Sequence, residues 1–220
     1  MLRRMLKNNW LRQRVFVLVV RVHNKCYNVL AQLAIMDNNG AHPKHRILGY
    51  HQFFVDSVAP GDRIIDVGCA HGEVAYDVAG KARAVVGIDF NEKSIAEARA
   101  KRVRPNLEYI VGDATVYPFK EKFDKIILSN VLEHIDKRIE FLQKMHTLGG
   151  TILIRVPLIN RDWLPMYKKE KGLEYRLDLT HYIEYTPEVL NQELAASSWQ
   201  LEKYSIQFGE LWGVVQAKRN

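Results

Sequence analysis

Between Arg63 and Gly72 the chain reads Arg-Ile-Ile-Asp-Val-Gly-Cys-Ala-His-Gly, a β-rich run delivered into a glycine-containing turn. A turn of this kind at the start of a helix brings backbone N–H groups close to a ligand. About twenty residues on, Val85-Val-Gly-Ile-Asp89-Phe90 ends a second apolar run on a carboxylate, which can accept hydrogen bonds from both hydroxyls of a ribose. These two features fit any nucleoside cofactor. Further along, His134 and His181 each follow a segment that reads as the end of a strand. An imidazole with an ordinary pKa of about 6.5 accepts a proton near neutrality, so both are candidate catalytic bases.

The elements that must position these residues follow from the pattern of apolar residues. Arg63–Val67, Ala84–Asp89, Leu107–Val111, 125–128 and 151–156 read as buried strands. Helices are predicted over 72–79, 92–102, 131–145 and 187–197, long enough for the right-handed crossovers that parallel strands require. Segments 199–207 and 211–218, around Gly209, read as a terminal antiparallel pair. Asn38-Asn39-Gly40 is a turn signal and His42-Pro43 disfavours helix beyond it. The chain is therefore expected to divide into a helical extension, 1–47, and an α/β domain, 48–220, with a long insertion over 157–186.

Four motifs in order carry a family resemblance. Asp66-Val-Gly68-Cys-Ala70-His-Gly72 resembles the acidic D/E-x-G-x-G-x-G loop of class I S-adenosylmethionine (SAM) dependent methyltransferases, whose leading acid has no counterpart in the dinucleotide fingerprint. The carboxylate at Asp89 comes next. Val111-Gly-Asp113-Ala114 resembles the element that holds adenine, and Phe123 to His134 resembles the fourth-strand motif. The resemblance covers roughly residues 48–220. It implies a Rossmann-like, seven-stranded, mostly parallel sheet with an antiparallel C-terminal strand, and SAM as cofactor across the strand ends. It further implies a contact set of Asp66, Gly68, Ala70 and Gly72 in the loop, Asp89 and Phe90 at the ribose, Asp113 and Ala114 at adenine, and Ser129 and Asn130 beside the sulfonium. Ala70 replaces the middle glycine, and it fits if its φ is negative.

Asn130-Val-Leu-Glu133-His134 also resembles the E-x-x-E-H metal site of ubiquinone-pathway O-methyltransferases and small-RNA 2′-O-methyltransferases. Thr180-His181-Tyr182 resembles the downstream histidine of the latter. The resemblance implies a divalent ion on Glu133, His134 and His181, lowering the pKa of an acceptor hydroxyl. Asn130 stands where the first glutamate would be, and the same tetrapeptide Val-Leu-Glu-His lines metal-free pockets in the superfamily, so both readings stand. The insertion supplies Arg161, Trp163 and Arg176. Aromatics that stack on a sugar face and arginines that pair an anion suit a polyhydroxylated or phosphorylated acceptor.

The 32 basic and 25 acidic residues leave a net charge of +7, and all of it falls in residues 1–36. Arg3, Arg4, Lys7, Arg12, Arg14, Arg21 and Lys25 lie there without one acid. On a helical wheel Arg3, Lys7, Arg14, Arg21 and Lys25 share a narrow arc, while Trp10, Phe16, Val19, Tyr27 and Leu30 lie elsewhere. A basic helix on an anionic membrane surface, a helix packed on the catalytic domain and an organelle presequence are the alternatives. Val15 to Val20 is too short to span a bilayer. Two cysteines, Cys26 and Cys69, make no disulfide framework and fit a reducing, cytoplasmic setting, peripheral to the inner face of a membrane. Insertion and basic segment together resemble methyltransferases of bacterial surface-glycan biosynthesis, so the expected reaction is O-methylation of a sugar, glycan or lipid-linked acceptor. The alternatives are a quinone-like small molecule, an RNA 2′-hydroxyl, and a SAM-fold scaffold without catalysis. The balanced charge of the core argues against nucleic acid.

Overall fold

The computed structural model describes residues 8–38 and 42–218. Arg3, Arg4, Lys7 and the Asn39-Gly40 part of the expected turn lie outside the described residues. The chain divides into two compact units, Met1–Gly49 and Tyr50–Asn220.

The first unit holds α1 (Asn9–Asp37) and α2 (Lys44–Leu48). Asn8 caps α1, its side-chain oxygen accepting from the N–H groups of Trp10 and Leu11, and no residue of α1 is buried. His42-Pro43, expected to disfavour helix, instead precedes the short α2. Proline excludes helix before itself, yet its fixed φ suits a helix start, and Gly49 ends α2 in the left-handed conformation. None of the described helices is long and apolar enough to cross a membrane.

The second unit begins with α3 (Tyr50–Asp56) and alternates β1 (Arg63–Val67), α4 (Glu73–Ala79), β2 (Ala84–Asp89), α5 (Glu92–Lys101), β3 (Leu107–Val111) and β4 (Lys125–Ser129). After a 3-10 turn at Leu132–His134 come α6 (Arg138–Met145), β5 (Thr151–Pro157), α7 (Trp163–Glu170), α8 (Pro187–Ala196), β6 (Trp199–Gln207) and β7 (Glu210–Ala217). The sheet order is β3-β2-β1-β4-β5-β7-β6. The first five strands run parallel, while β7 pairs antiparallel with both β5 and β6. Ile64, Ile65, Ile88, Ile126 and Leu128 are fully buried because helices cover both faces of the parallel part. The C-terminal ends of β1, β2, β3 and β4 therefore share one edge of the sheet.

Two local expectations change. The helix predicted over 131–145 is a 3-10 turn followed by α6, separated by an extended Ile135 at φ −95° and ψ 127°. Asn130 enters the turn at φ +54°, and the Arg138 guanidinium donates to the Ile135 and Asp136 carbonyls, which fixes the break. The insertion, for which the sequence pattern predicts no element, carries an eight-residue helix, α7, capped by Asp162.

Candidate functional site

The loop after β1 is built by two glycines that cannot be replaced and one alanine that can stay. Gly68 and Gly72 have φ of +69° and +78°. A Cβ on Gly68 would lie 2.6 Å from Val131 Cγ2, and one on Gly72 would lie 2.5 Å from the Tyr109 hydroxyl. Ala70 has φ +47°, which overturns the expectation of a negative value. Its N–H is turned to donate to Asp89 Oδ2 at 2.9 Å, and its methyl group is exposed, so the strained conformation meets no steric block.

Asp89 spans the site floor. Its Oδ1 accepts from Asn91 N at 2.8 Å, while Oδ2 holds Ala70. Phe90 beside it is 77% exposed, a bare aromatic ring at the end of β2. Asp113 Oδ1 accepts from both the backbone N–H and the hydroxyl of Thr115, which shapes the turn carrying Ala114. Lys144 from α6 reaches the same turn and donates to the carbonyls of Ala114, Thr115 and Tyr117. The lysine was not legible as part of the site, because a lysine on an amphipathic helix looks like any solvated one.

Asp66 is fully buried, and burial pushes its carboxyl up to about 7 against the pull of the Ala75 N–H. Its Oδ2 has no partner, nor do the buried Asn130 Oδ1 and both carboxylate oxygens of Glu133. Buried polar atoms without partners disfavour the fold by about 1–3 kcal/mol each unless something completes them. Their concentration on the β1 and β4 ends marks where a ligand belongs. Glu133 is also pushed up to about 7, chiefly by burial, with its own backbone N–H, His181 and Arg155 opposing.

One donor atom from each of Glu133, His134 and His181 lies within 4.8 Å of the others. The histidine rings stand edge to face, 4.6 Å between centroids. Thr180 Oγ1 lies 2.8 Å from Asp178 Oδ1 and 2.9 Å from His134 Nδ1. With its proton given to Asp178, the hydroxyl accepts from Nδ1–H, which leaves His134 Nε2 with a lone pair. The Glu184 carboxylate does the same for His181, taking Nδ1–H at 2.9 Å. His134 is held below the ordinary imidazole pKa, by burial first and by its neighbour His181 second. Asn130 suits its left-handed backbone, a conformation asparagine adopts more readily than most residues.

The arginines of the insertion are engaged within it. Arg161 donates to Glu184 Oε2 and the Leu158 carbonyl, both at 2.9 Å. Arg176 pairs with Glu174 and donates to the Leu179 and His181 carbonyls. Both thus hold the segment that delivers His181. Trp163 is 69% exposed on α7. Beneath the site, the buried Arg155 makes a bidentate pair with Glu210 at 2.6 and 2.8 Å. Its guanidinium lies 3.7 Å from the Tyr50 ring centre, and it reaches Ser129 Oγ at 3.4 Å. Burial pushes the Tyr50 hydroxyl up to about 12. Arg155 escaped sequence reasoning because it sits inside an otherwise apolar strand.

Residues 64–148 match the methyltransferase domain family. The ubiquinone biosynthesis O-methyltransferase of Rhizobium johnstonii is 32% identical over 165 residues, 69% of this chain and 65% of that protein. The demethylmenaquinone methyltransferase of Beutenbergia cavernae is 32% identical over 109 residues, 48% of this chain and 45% of that protein. The chain thus spans about half to two thirds of the length of these curated relatives. Among solved structures, magnesium protoporphyrin IX methyltransferase from Synechocystis PCC 6803 with bound SAH superposes with a TM-score of 0.62 at 18% identity, covering 78% of this chain and 84% of that one. A methyltransferase complexed with the Haloferax volcanii Trm112 activator gives 0.67 at 13% identity, covering 85% and 97%, and so shares the fold. The domain match over residues 64–148, the motif order and the sheet order agree that this part of the chain is a SAM-dependent methyltransferase domain of class I fold.

Proposed function

We propose that the protein is an O-methyltransferase that moves the methyl group of SAM to a hydroxyl of a lipophilic, phenol-like small molecule. The observation that carries this reading is the cluster of Glu133, His134 and His181 beside the cofactor loop. Two imidazoles with their Nδ1 atoms engaged present Nε2 lone pairs to the same space. In the transfer, the hydroxyl oxygen attacks the sulfonium methyl carbon, the carbon–sulfur bond electrons pass to sulfur, and His134 Nε2 takes the hydroxyl proton. Alignment supplies most of the rate, and the base supplies about a hundredfold or more.

On the cofactor side, Asp89 would take the ribose hydroxyls, Phe90 one face of the adenine, Asp113 and the Ala114 backbone its edge, and the Gly68–Gly72 loop with Asp66 the methionine end. Ser129 and Asn130 would flank the sulfonium. The unpartnered Glu133 oxygens and two histidines fit a divalent cation, and the mixed nitrogen and oxygen donors suit a transition metal better than magnesium. Such an ion, when bound, would take the His134 Nε2 lone pair and, in place of proton uptake by His134, would lower the pKa of the acceptor hydroxyl so that its proton leaves to solvent.

The acceptor class rests on the relatives whose names include ubiquinone biosynthesis O-methyltransferases. The sugar or glycan acceptor expected from the insertion finds no counterpart among them. Its arginines are also committed to Glu174 and Glu184. The test incubates the protein with labelled SAM and, in separate arms, an alkylated catechol and a panel of saccharides, with and without chelator. A labelled catechol ether is expected, lost by about a hundredfold or more in His134→Ala and His181→Ala with SAM affinity retained. Labelled saccharide alone would overturn the acceptor class, and failure to bind SAM would overturn methyl transfer altogether.

A further inference from the structure

Independently of the acceptor, the first unit carries a surface that the methyltransferase reading does not use. Helix α1 runs 29 residues, about 44 Å at 1.5 Å per residue, without one buried side chain. Leu18, Val22, Leu30 and Met36 are 60%, 54%, 64% and 74% exposed. An apolar surface of this extent facing water marks an interaction site.

One apolar stripe runs the length of α1. At about 100° per residue, Leu11, Val15, Leu18, Val22, Val29 and Leu33 fall within an arc of about 60°. Arg14, Arg21 and Lys25 line one edge of that stripe, and Arg12 lies beyond its other edge. Trp10, 60% exposed, carries Arg14 over its ring at 4.3 Å. Rings with an apolar body and a polar tip favour the headgroup level of a bilayer.

We propose that α1 lies in the plane of an anionic membrane surface, its leucine and valine stripe in the acyl boundary and its cations against lipid headgroups. Charge decides against a second copy of the chain. No carboxylate occurs before Asp37, so two α1 helices packed antiparallel along their stripes would set the Arg14, Arg21 and Lys25 edge of one against the same edge of the other. Anionic headgroups neutralise the same cations. Spanning is excluded by the absence, among the described residues, of a helix apolar enough to cross. An apolar stripe bordered by Arg and Lys is the pattern of an interfacial helix.

The experiment sediments the full chain with phosphatidylcholine vesicles, with and without phosphatidylglycerol, across a salt series. Binding is expected only with phosphatidylglycerol, and it should weaken as salt rises. Each cation near the surface is worth about fivefold in partition, so replacing Arg14, Arg21 and Lys25 by Gln should weaken binding by about a hundredfold. Arg14→Lys with Arg21→Lys should retain it, and Leu18→Asn with Val22→Asn should lose it. Circular dichroism checks that the variants keep their helix, and the salt series on the unmodified chain tests the proposal without any variant. Equal binding to both vesicle types, binding that ignores salt or the Gln variant, or a salt-stable dimer dissolved by Leu18→Asn in a chain that leaves vesicles unbound would each overturn it.

Discussion

A left-handed alanine in the cofactor loop sets two small energies against each other. Holding an L-residue at positive φ costs about 1–2 kcal/mol, and exchanging it for glycine loosens the unfolded chain by about 0.4–1 kcal/mol. Ala70→Gly should therefore stabilise the protein by about 0.5–1 kcal/mol, read as a rise in the denaturant midpoint; a fall would mean that the methyl makes contacts worth more than the strain. Asp66 makes a prediction in pH. Its folded pKa of about 7 exceeds the ordinary carboxyl value of 3.8, so the folded state holds the proton more tightly. The stability this confers is full below about pH 4 and is lost as pH rises through about 7. Melting curves at pH 5 and pH 8 should show a larger drop for the unmodified chain than for Asp66→Asn, by on the order of 2 kcal/mol. Glu133 shifts the same way in both proteins, so the difference belongs to Asp66, and equal drops would remove it. Asp89→Ala should weaken SAM binding by at least about tenfold in a calorimetric titration, since the carboxylate both shapes the loop through Ala70 and is the assigned ribose acceptor. Unchanged affinity would sink that assignment.

Among the elements, the segment from Leu173 to Tyr185 depends most on a single side chain. Glu184 is fully buried, and burial alone would raise its carboxyl. The hydrogen bonds from His181 and Leu177 and the Arg161 charge outweigh that and hold it below the usual range. Glu184→Gln removes the charge that Arg161 and His181 share, so it should lower stability by about 2–4 kcal/mol and reduce acceptor turnover while leaving SAM affinity near its original value. Parallel loss of SAM affinity would show that the two halves of the site are not separate. This segment also shows where sequence reasoning stops. The strands were legible because each is a β-branched run between turn residues, and the cofactor loop because its acid and glycines are adjacent. The pairing of Arg161 with a carboxylate 23 residues away has no local period to betray it. The same holds for Lys144 under the Ala114 turn and Arg155 under Ser129. The 3-10 turn at Leu132–His134 was read as helix because a single apolar stripe continues through it; only the backbone at Asn130 and Ile135 breaks it.

For the whole molecule, charge and core are divided between the two units. The apolar core cluster runs from Ile65 to Ala217, and neither α1 nor α2 contributes a buried residue. A chain reduced to residues 50–220 should therefore melt within about 2 °C of the full one, a shift that corresponds to less than about 1 kcal/mol at this size. A larger fall in calorimetry would show that the helices support the core. Within the second unit, the insertion leaves and returns at one place. Leu158 bridges Tyr185 in parallel, and Ile159 N donates to the Tyr185 carbonyl at 2.8 Å. Residues 160–184 thus hang from a clasp about one strand spacing wide, with their ion pairs closed among themselves. Exchange of the segment between Ile159 and Tyr185 would leave Asp66, Asp89 and Asp113 in place on the sheet, but it would take away His181, the Thr180–His134 contact and the hydrogen bond from Tyr182 N to the Glu133 carbonyl, so any graft has to bring its own partner for the 3-10 turn.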